Sequence, residues 1–184
     1  MGKITQTEGG ITSAAGFKAA SCEAGIKYQN RRDMALVYSE VPCECAGTFT
    51  SNKVKAACVQ WDKKIVESGV KLQAVVVNTG IANACTGKEG WDACEATAAA
   101  VNESLGVDKG SVAVGSTGVI GMQLPVDRLV AGVKKMCTSL DDSREAATLA
   151  SKAIMTTDTI NKETAVTFEV KGKKVTIGGM SKGS

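Results

Sequence analysis

The stretch Leu72-Gln-Ala-Val-Val-Val-Asn-Thr-Gly80 decides the fold. An apolar, β-branched run from Ala74 to Val77 stops at the polar turn signal Asn78-Thr-Gly80, which reads as a buried central strand ending in a loop. The period then changes. Trp91, Cys94, Ala98, Val101 and Leu105 recur at spacings of three and four, which places them on one helical stripe. Thr86 with Glu89 predicts a capping box at the start of that helix, and Gly106 predicts its stop. A second apolar run, Ser111-Val-Ala-Val114, leads into the glycine loop Gly115-Ser-Thr-Gly-Val-Ile-Gly121.

Downstream, Pro125 opens a helix whose apolar face carries Leu129, Val130, Val133 and Cys137. Asp142 with Glu145 predicts the cap of a further helix, with Ala146, Leu149, Ala150, Ala153 and Ile154 inward. Thr164–Val170 alternates, with Val166, Phe168 and Val170 on one side. After the turn Lys171-Gly172-Lys173, Val175 and Ile177 return as the second arm of a hairpin. Upstream, Ile11–Phe17, Met34–Tyr38 and Gly47–Thr50 read as short strands between small-residue breaks. The order is strands, helix, strand and loop, two helices, hairpin, with no linker or repeat dividing residues 1–184. This predicts one α/β unit with helices covering one face of a mixed sheet, not an all-parallel doubly wound fold. The ending Gly178-Gly-Met-Ser-Lys-Gly-Ser184 reads as an interrupted loop.

Composition excludes several classes. A chain of 184 residues buries roughly 70 % of its unfolded surface, and 43 % hydrophobic with 22 % charged residues is the make-up of a folded globular protein. The net charge of +3 is spread out. Its densest basic cluster, Lys171, Lys173 and Lys174, lies in a turn without interleaved aromatics, so nucleic acid is not an expected partner. No apolar run is long enough to span a membrane, and Met1–Gln6 has neither a secretion core nor a myristoylation pattern. A cytoplasmic location is expected. The seven cysteines are an odd number, scattered and without a Cys-x-x-Cys pair, which predicts reduced, mostly buried thiols. Cys85, ahead of a helix, is either a nucleophile or a packing residue.

The chain contains no histidine. Ser-His-Asp and Cys-His pairs, histidine bases and mixed zinc sites cannot be built within it, and no metal site is expected. The loop Gly115–Gly121 is not a Walker A loop, because no Lys-Ser/Thr follows its glycines. Nor is it a dinucleotide fingerprint or a Gly-x-Ser-x-Gly elbow. Two readings remain: an oxyanion hole formed by the Thr117 hydroxyl and the Gly118 N–H, or a tight turn. Thr156-Thr-Asp-Thr159 follows the last helix, where its hydroxyls bind a polar ligand or satisfy terminal carbonyls. Lys182 is a candidate partner for a substrate carboxylate or a solvated terminal lysine.

Four blocks taken together resemble the ornithine acetyltransferase family, also called glutamate N-acetyltransferase. They are Asn78-Thr-Gly-Ile-Ala-Asn-Ala-Cys-Thr-Gly87, Gly115-Ser-Thr-Gly-Val-Ile-Gly121, Ala153-Ile-Met-Thr-Thr-Asp-Thr159 and Thr176-Ile-Gly-Gly-Met-Ser-Lys-Gly-Ser184. Asn52-Lys-Val-Lys-Ala56 adds to the likeness. The resemblance implies a precursor that cuts itself before a threonine, with the present residues forming the α chain and ending shortly before the cut. It implies a layered α/β sandwich of mixed sheets covered by helices and completed by a β chain, in a heterotetramer of two α and two β chains. It further implies a ping-pong transfer of acetyl from N-acetylornithine to glutamate through the β chain's N-terminal threonine. No cofactor is implied, although acetyl-CoA is a possible co-substrate. By the same resemblance, Thr117 and Gly118 form the oxyanion hole, and Thr156 and Lys182 contact substrate. The competing readings are a noncatalytic amino-acid-binding or regulatory module and a related self-cleaving aminopeptidase.

Overall fold

The computed structural model describes residues 3–183. Met1, Gly2 and Ser184, which belong to the two ends read above, lie outside the described residues. The elements in chain order are β1 (Thr5–Thr7), β2 (Phe17–Cys22), β3 (Met34–Cys43), α1 (Ala57–Ser68), β4 (Leu72–Ile81), α2 (Gly87–Leu105), β5 (Val112–Val119), α3 (Val126–Cys137), α4 (Arg144–Ala153), β6 (Lys162–Val170) and β7 (Lys173–Ser181). They build a four-stranded sheet ordered β2-β3-β4-β5 and a three-stranded sheet ordered β1-β6-β7. Every pair is antiparallel except β4 with β5, which α2 joins as a crossover.

The unbroken apolar run in β4 has a structural cause: both faces of its sheet are covered. Ala74 and Val76 join Met34, Leu36 and Val112 against Val101 of α2 and Val133 and Met136 of α3. On the opposite face, Val77, Ala19 and Ala35 meet Ala150, Ala153 and Ile154 near α4. Helices therefore lie on both faces, which corrects the one-faced expectation. A strand apolar on both sides needs a cover on both sides. Small residues face α4, so that helix sits close to the sheet and carries the second sheet with it. Arg144 of α4 donates two hydrogen bonds to Glu163 of β6, at 2.7 and 2.8 Å.

One edge of the larger sheet, β5, is guarded by α1. Trp61 Nε1 donates to the Val112 carbonyl at 2.9 Å, and an Asp62 carboxylate oxygen accepts the Val114 N–H at 2.9 Å. Edge groups that would otherwise invite another strand are thereby satisfied. Burial pushes the Asp62 carboxyl up to about 6, against the lowering effect of the Val114 N–H.

Several local expectations change. Gly47–Thr50 forms no strand, Ile11–Ser13 is a 3-10 turn, and the strand expected there begins at Phe17. Helix α1 was not expected: its N-cap position holds Ala56, which offers no capping side chain. The capping box of α2 does not form, because the Thr86 hydroxyl donates to Asn83 Oδ1 at 2.6 Å instead. Gly106 does end α2, in the left-handed conformation with φ 69°. Pro125 is the N-cap of α3 and not its first helical residue. Ser143, not Asp142, caps α4, its hydroxyl accepting the Ala146 N–H at 3.2 Å.

The hairpin turns through Lys171 (φ 50°) and Gly172 (φ 75°), as a two-residue type I′ turn requires. Its buried face, however, is the one carrying Ala165. Val166 opposes Ile177 and Phe168 opposes Val175 on the other face, where Ile177 is 54 % exposed. The tail is not a loop, since β7 continues to Ser181. The seven cysteines are unpaired thiols, with Cys22, Cys58 and Cys94 buried, Cys43, Cys45 and Cys137 half-buried, and Cys85 exposed.

Candidate active site

Strands β4 and β5 run parallel, so their C-terminal ends deliver two loops to the same side of the sheet, the usual ligand side of such sheets. Their register sets Asn78 beside Ser116, Thr79 beside Thr117 and Gly80 beside Gly118. The last pair is a backbone-on-backbone contact. A Cβ on Gly118 would lie 2.3 Å from the Gly80 carbonyl carbon, and both residues have positive φ, 100° and 140°. Only glycine meets both demands. Behind this contact Ser116 donates to Asn78 Oδ1 at 2.6 Å, while the Asn78 amide donates to the Ile81 carbonyl at 3.0 Å. Buried Asn78 and half-buried Ser116 thus fix the strand ends from below.

A cavity of about 650 Å³ opens above them, lined by Tyr28, Arg31, Gly80, Thr117, Gly118, Val119, Thr156 and Thr157. Three of the four sequence-predicted residues, Thr117, Gly118 and Thr156, are therefore brought together across 39 residues of sequence. Thr79 helps to hold the assembly. Its N–H donates to the Asp33 carbonyl at 2.8 Å, and its hydroxyl donates to the Ala153 carbonyl at 3.2 Å, three residues before Thr156.

Lys182 is not among the lining residues. Its ammonium lies 3.3 Å from Asp158, whose side chain is 1 % exposed while that of Lys182 is 28 % exposed. Asp158 also accepts the N–H of Thr156 at 3.1 Å and that of Gly183 at 2.9 Å, and Lys162 stands 3.6 Å away. The backbone N–H groups of Thr156 and Gly183, followed by Lys182, hold its carboxyl far below the usual carboxylate range. One anion thus connects the substrate-contact candidate Thr156 to Lys182 and the end of β7.

Sequence reasoning missed Asp158, Arg31 and Tyr28. For Asp158 the signal was present, an acid in the middle of a threonine cluster. For Arg31 there was none, because its partner in the fold is 124 residues away: Nη2 donates to the Met155 carbonyl at 2.8 Å. Among the described residues no cluster of three or more His, Cys, Asp or Glu stands ready to hold a metal ion, and no helix is long and apolar enough to cross a membrane.

The two-sheet α/β architecture is shared with solved structures. The chain superposes on the arginine biosynthesis bifunctional protein ArgJ of Bacillus halodurans with a TM-score of 0.95 at 40 % identity, covering 100 % of this chain and 95 % of that one. It superposes on the ornithine acetyltransferase of Mycobacterium tuberculosis, solved with ornithine, with a TM-score of 0.91 at 41 % identity, covering 99 % and 96 %. The chain belongs to the ArgJ family, whose sequence profile matches residues 18–184. The arginine biosynthesis bifunctional protein ArgJ of Symbiobacterium thermophilum is 47 % identical over 178 residues, which is 96 % of this chain and 44 % of the relative. That of Mycolicibacterium paratuberculosis is 45 % identical over 183 residues, again with 44 % of the relative covered. The chain spans less than half the length of the curated relatives it matches.

Proposed function

We propose that this chain is the α subunit of an acetyltransferase that moves acetyl from N2-acetylornithine to glutamate, giving ornithine and N-acetylglutamate. The observation that carries the reading is the cavity in which a hydroxyl at Thr117, the exposed backbone of Gly118 and Thr156 meet at the ends of two parallel strands. An ornithine-bound relative with the same fold supports it. A division into two chains is supported by coverage: solved relatives are matched over 95–96 % of their chains, curated full-length relatives over 44 %. The half-exposed apolar face of the hairpin suits a cover by the missing β chain, in a heterotetramer of two α and two β chains.

In this reading the attacking group is the N-terminal threonine of the β chain, which uses its own α-amine as base and so needs no histidine. Its hydroxyl oxygen adds to the acetyl carbonyl of N-acetylornithine while the α-amine takes the proton. The resulting oxyanion accepts hydrogen bonds from Thr117 and Gly118. Collapse breaks the C–N bond, the proton passes to the leaving nitrogen, and ornithine departs. Glutamate's amine then attacks the threonine ester through a second oxyanion in the same place. N-acetylglutamate leaves and the threonine hydroxyl is restored. Thr156 and Lys182 contact the substrate, with Lys182 held by Asp158 and supplying a cation for a substrate carboxylate. Acetyl-CoA enters only as an alternative acetyl donor; no bound cofactor or metal takes part, and the enzyme works in the cytoplasm.

The test uses the enzyme made from its full-length gene. Incubation with acetyl-labelled N-acetylornithine is expected to leave label on a threonine-headed second chain. Thr117→Ala is expected to lower kcat by about 100- to 1,000-fold with the fold intact. A single unlabelled chain that only binds amino acid would overturn the reading.

A further inference from the structure

The residue pairs that β4 and β5 place on one face of the sheet change character just below the cavity. Ala74 lies beside Val112 and Val76 beside Val114, all four apolar and buried. Asn78 beside Ser116 comes next, and the bare pair Gly80 and Gly118 follows. Residues two apart on a strand share a face, so an apolar core would continue here with another valine or leucine. Asn78, buried, instead uses both ends of its amide. Its Oδ1 accepts the Ser116 hydroxyl at 2.6 Å, which ties it to β5, and its Nδ2 donates to the Ile81 carbonyl at 3.0 Å, which ties it to the end of β4. An amide is costly to bury even when its ends are answered. Packing alone gives no reason for one at this place. The far end of the same segment is held likewise: Asn83, also buried, donates to the Gly90 carbonyl at 2.7 Å and accepts the Thr86 hydroxyl at 2.6 Å.

The tip of β5 is what this bracing serves. β5 is an edge strand, with β4 as its one neighbour, and beyond Ser116 it runs into solvent, where Val119 and Ile120 are exposed. Thr117 and Gly118 sit on that tip, so their aim depends on how firmly β5 is held to β4. We propose that Asn78 and Ser116 are positioning residues for the oxyanion contact: the hydrogen bond between them aims the Thr117 hydroxyl and the Gly118 N–H at the charge that develops during acetyl transfer; this rests on the acetyltransferase reading above. A donor stabilises an oxyanion fully only when it is in place before the charge forms. A displacement of about 1 Å costs about 100-fold in rate. Neither Asn78 nor Ser116 lines the cavity, so their effect passes through the two donors.

The experiment follows the two half-reactions separately, in the enzyme made from its full-length gene. Label from acetyl-labelled N-acetylornithine is timed as it enters the enzyme, and a chase with glutamate times its departure. Ser116→Ala removes only a hydroxyl. It is expected to slow both steps by the same factor, about 10- to 30-fold, with KM for either substrate changed by less than about threefold, because both oxyanions form against the same donors. Asn78→Leu, which keeps the approximate volume and loses both hydrogen bonds, is expected to slow both steps by about 100-fold or more. Where Asn78→Leu does not fold, Ser116→Ala decides alone. Added to Thr117→Ala, Ser116→Ala is expected to cost less than it does in the wild type, since groups that act as a unit are not additive. A folded Ser116→Ala with unchanged rates overturns the proposal. So does a loss confined to KM or to one half-reaction, or one that multiplies in full with that of Thr117→Ala. A wild type that transfers no acetyl overturns the acetyltransferase reading and this proposal with it.

Discussion

Two aspartates show how environment sets opposite behaviour in one residue type. Asp158 is surrounded by donors, so its carboxyl titrates well below the usual range; Asp62 is half-buried with one N–H partner, and desolvation raises its carboxyl to about 6. The stability that Asp158 contributes is fully present above the ordinary carboxylate pKa and is lost as pH falls toward its depressed value. Asp158→Asn should therefore lower the melting temperature at neutral pH, with the difference from wild type shrinking on strong acidification. The same variant should raise KM, because Thr156 and Lys182 lose their common anchor. Asp62 has the reverse sign. Its native carboxyl holds its proton longer than the unfolded one, so wild-type stability falls as pH rises from about 4 to about 6. Asp62→Asn keeps an acceptor for the Val114 N–H and removes the partly desolvated charge. It should stabilise by about 1–3 kcal/mol at pH 7 and by almost nothing below about pH 4, as thermal melts at the two pH values would show.

At the scale of elements, the glycines do different work from what a reading along the chain assigns to them. Gly118 lies flush against Gly80, and Gly118→Ala must move one strand end to make room. A loss of about 2–4 kcal/mol in chemical denaturation is expected, together with faster hydrogen exchange in the loops after β4 and β5. Gly178 occupies a strand because the Gly10 carbonyl oxygen would lie 2.1 Å from its Cβ. That close approach explains why a glycine-rich tail read as a loop is strand to Ser181. The legible elements were those with a sustained period: the run at Leu72–Val77, the stripe from Trp91 to Leu105 and the hairpin around Gly172. Helix α1 was illegible because Ala56 provides no cap. The two-faced cover of the larger sheet was signalled by the unbroken run Ala74–Val77, but which helix supplies the second cover was illegible because Ala19 and Ala35, the residues facing α4, are small and ordinary in sequence.

For the whole molecule, the division is between what lies along one loop and what the fold assembles. Thr117 and Gly118 were readable from a single stretch, and Thr156 from another. That they line one cavity follows from the parallel register of β4 and β5 and from Thr79 reaching the Ala153 carbonyl. Arg31 became visible only through a contact made at long range, whereas Asp158 was signalled by its place in the threonine cluster and its anchoring role by its contacts with Thr156 and Gly183. The hairpin's outward apolar face pairs Val166, Phe168, Val175 and Ile177 across the strands, with Ile177 exposed. Under the proposed two-chain reading, this chain expressed by itself should bind a hydrophobic dye and run as concentration-dependent oligomers in sedimentation. The enzyme from the full-length gene should do neither.

The helix lying along β5 has a bearing on handling the protein as well as on its architecture. With Trp61 and Asp62 answering the Val112 carbonyl and the Val114 N–H, the β5 rim of the larger sheet offers a stray polypeptide little to latch onto. Clumping on storage should therefore begin elsewhere. A formulator who wished to keep this chain clear in the vial would shield the greasy side of the hairpin and leave that rim alone.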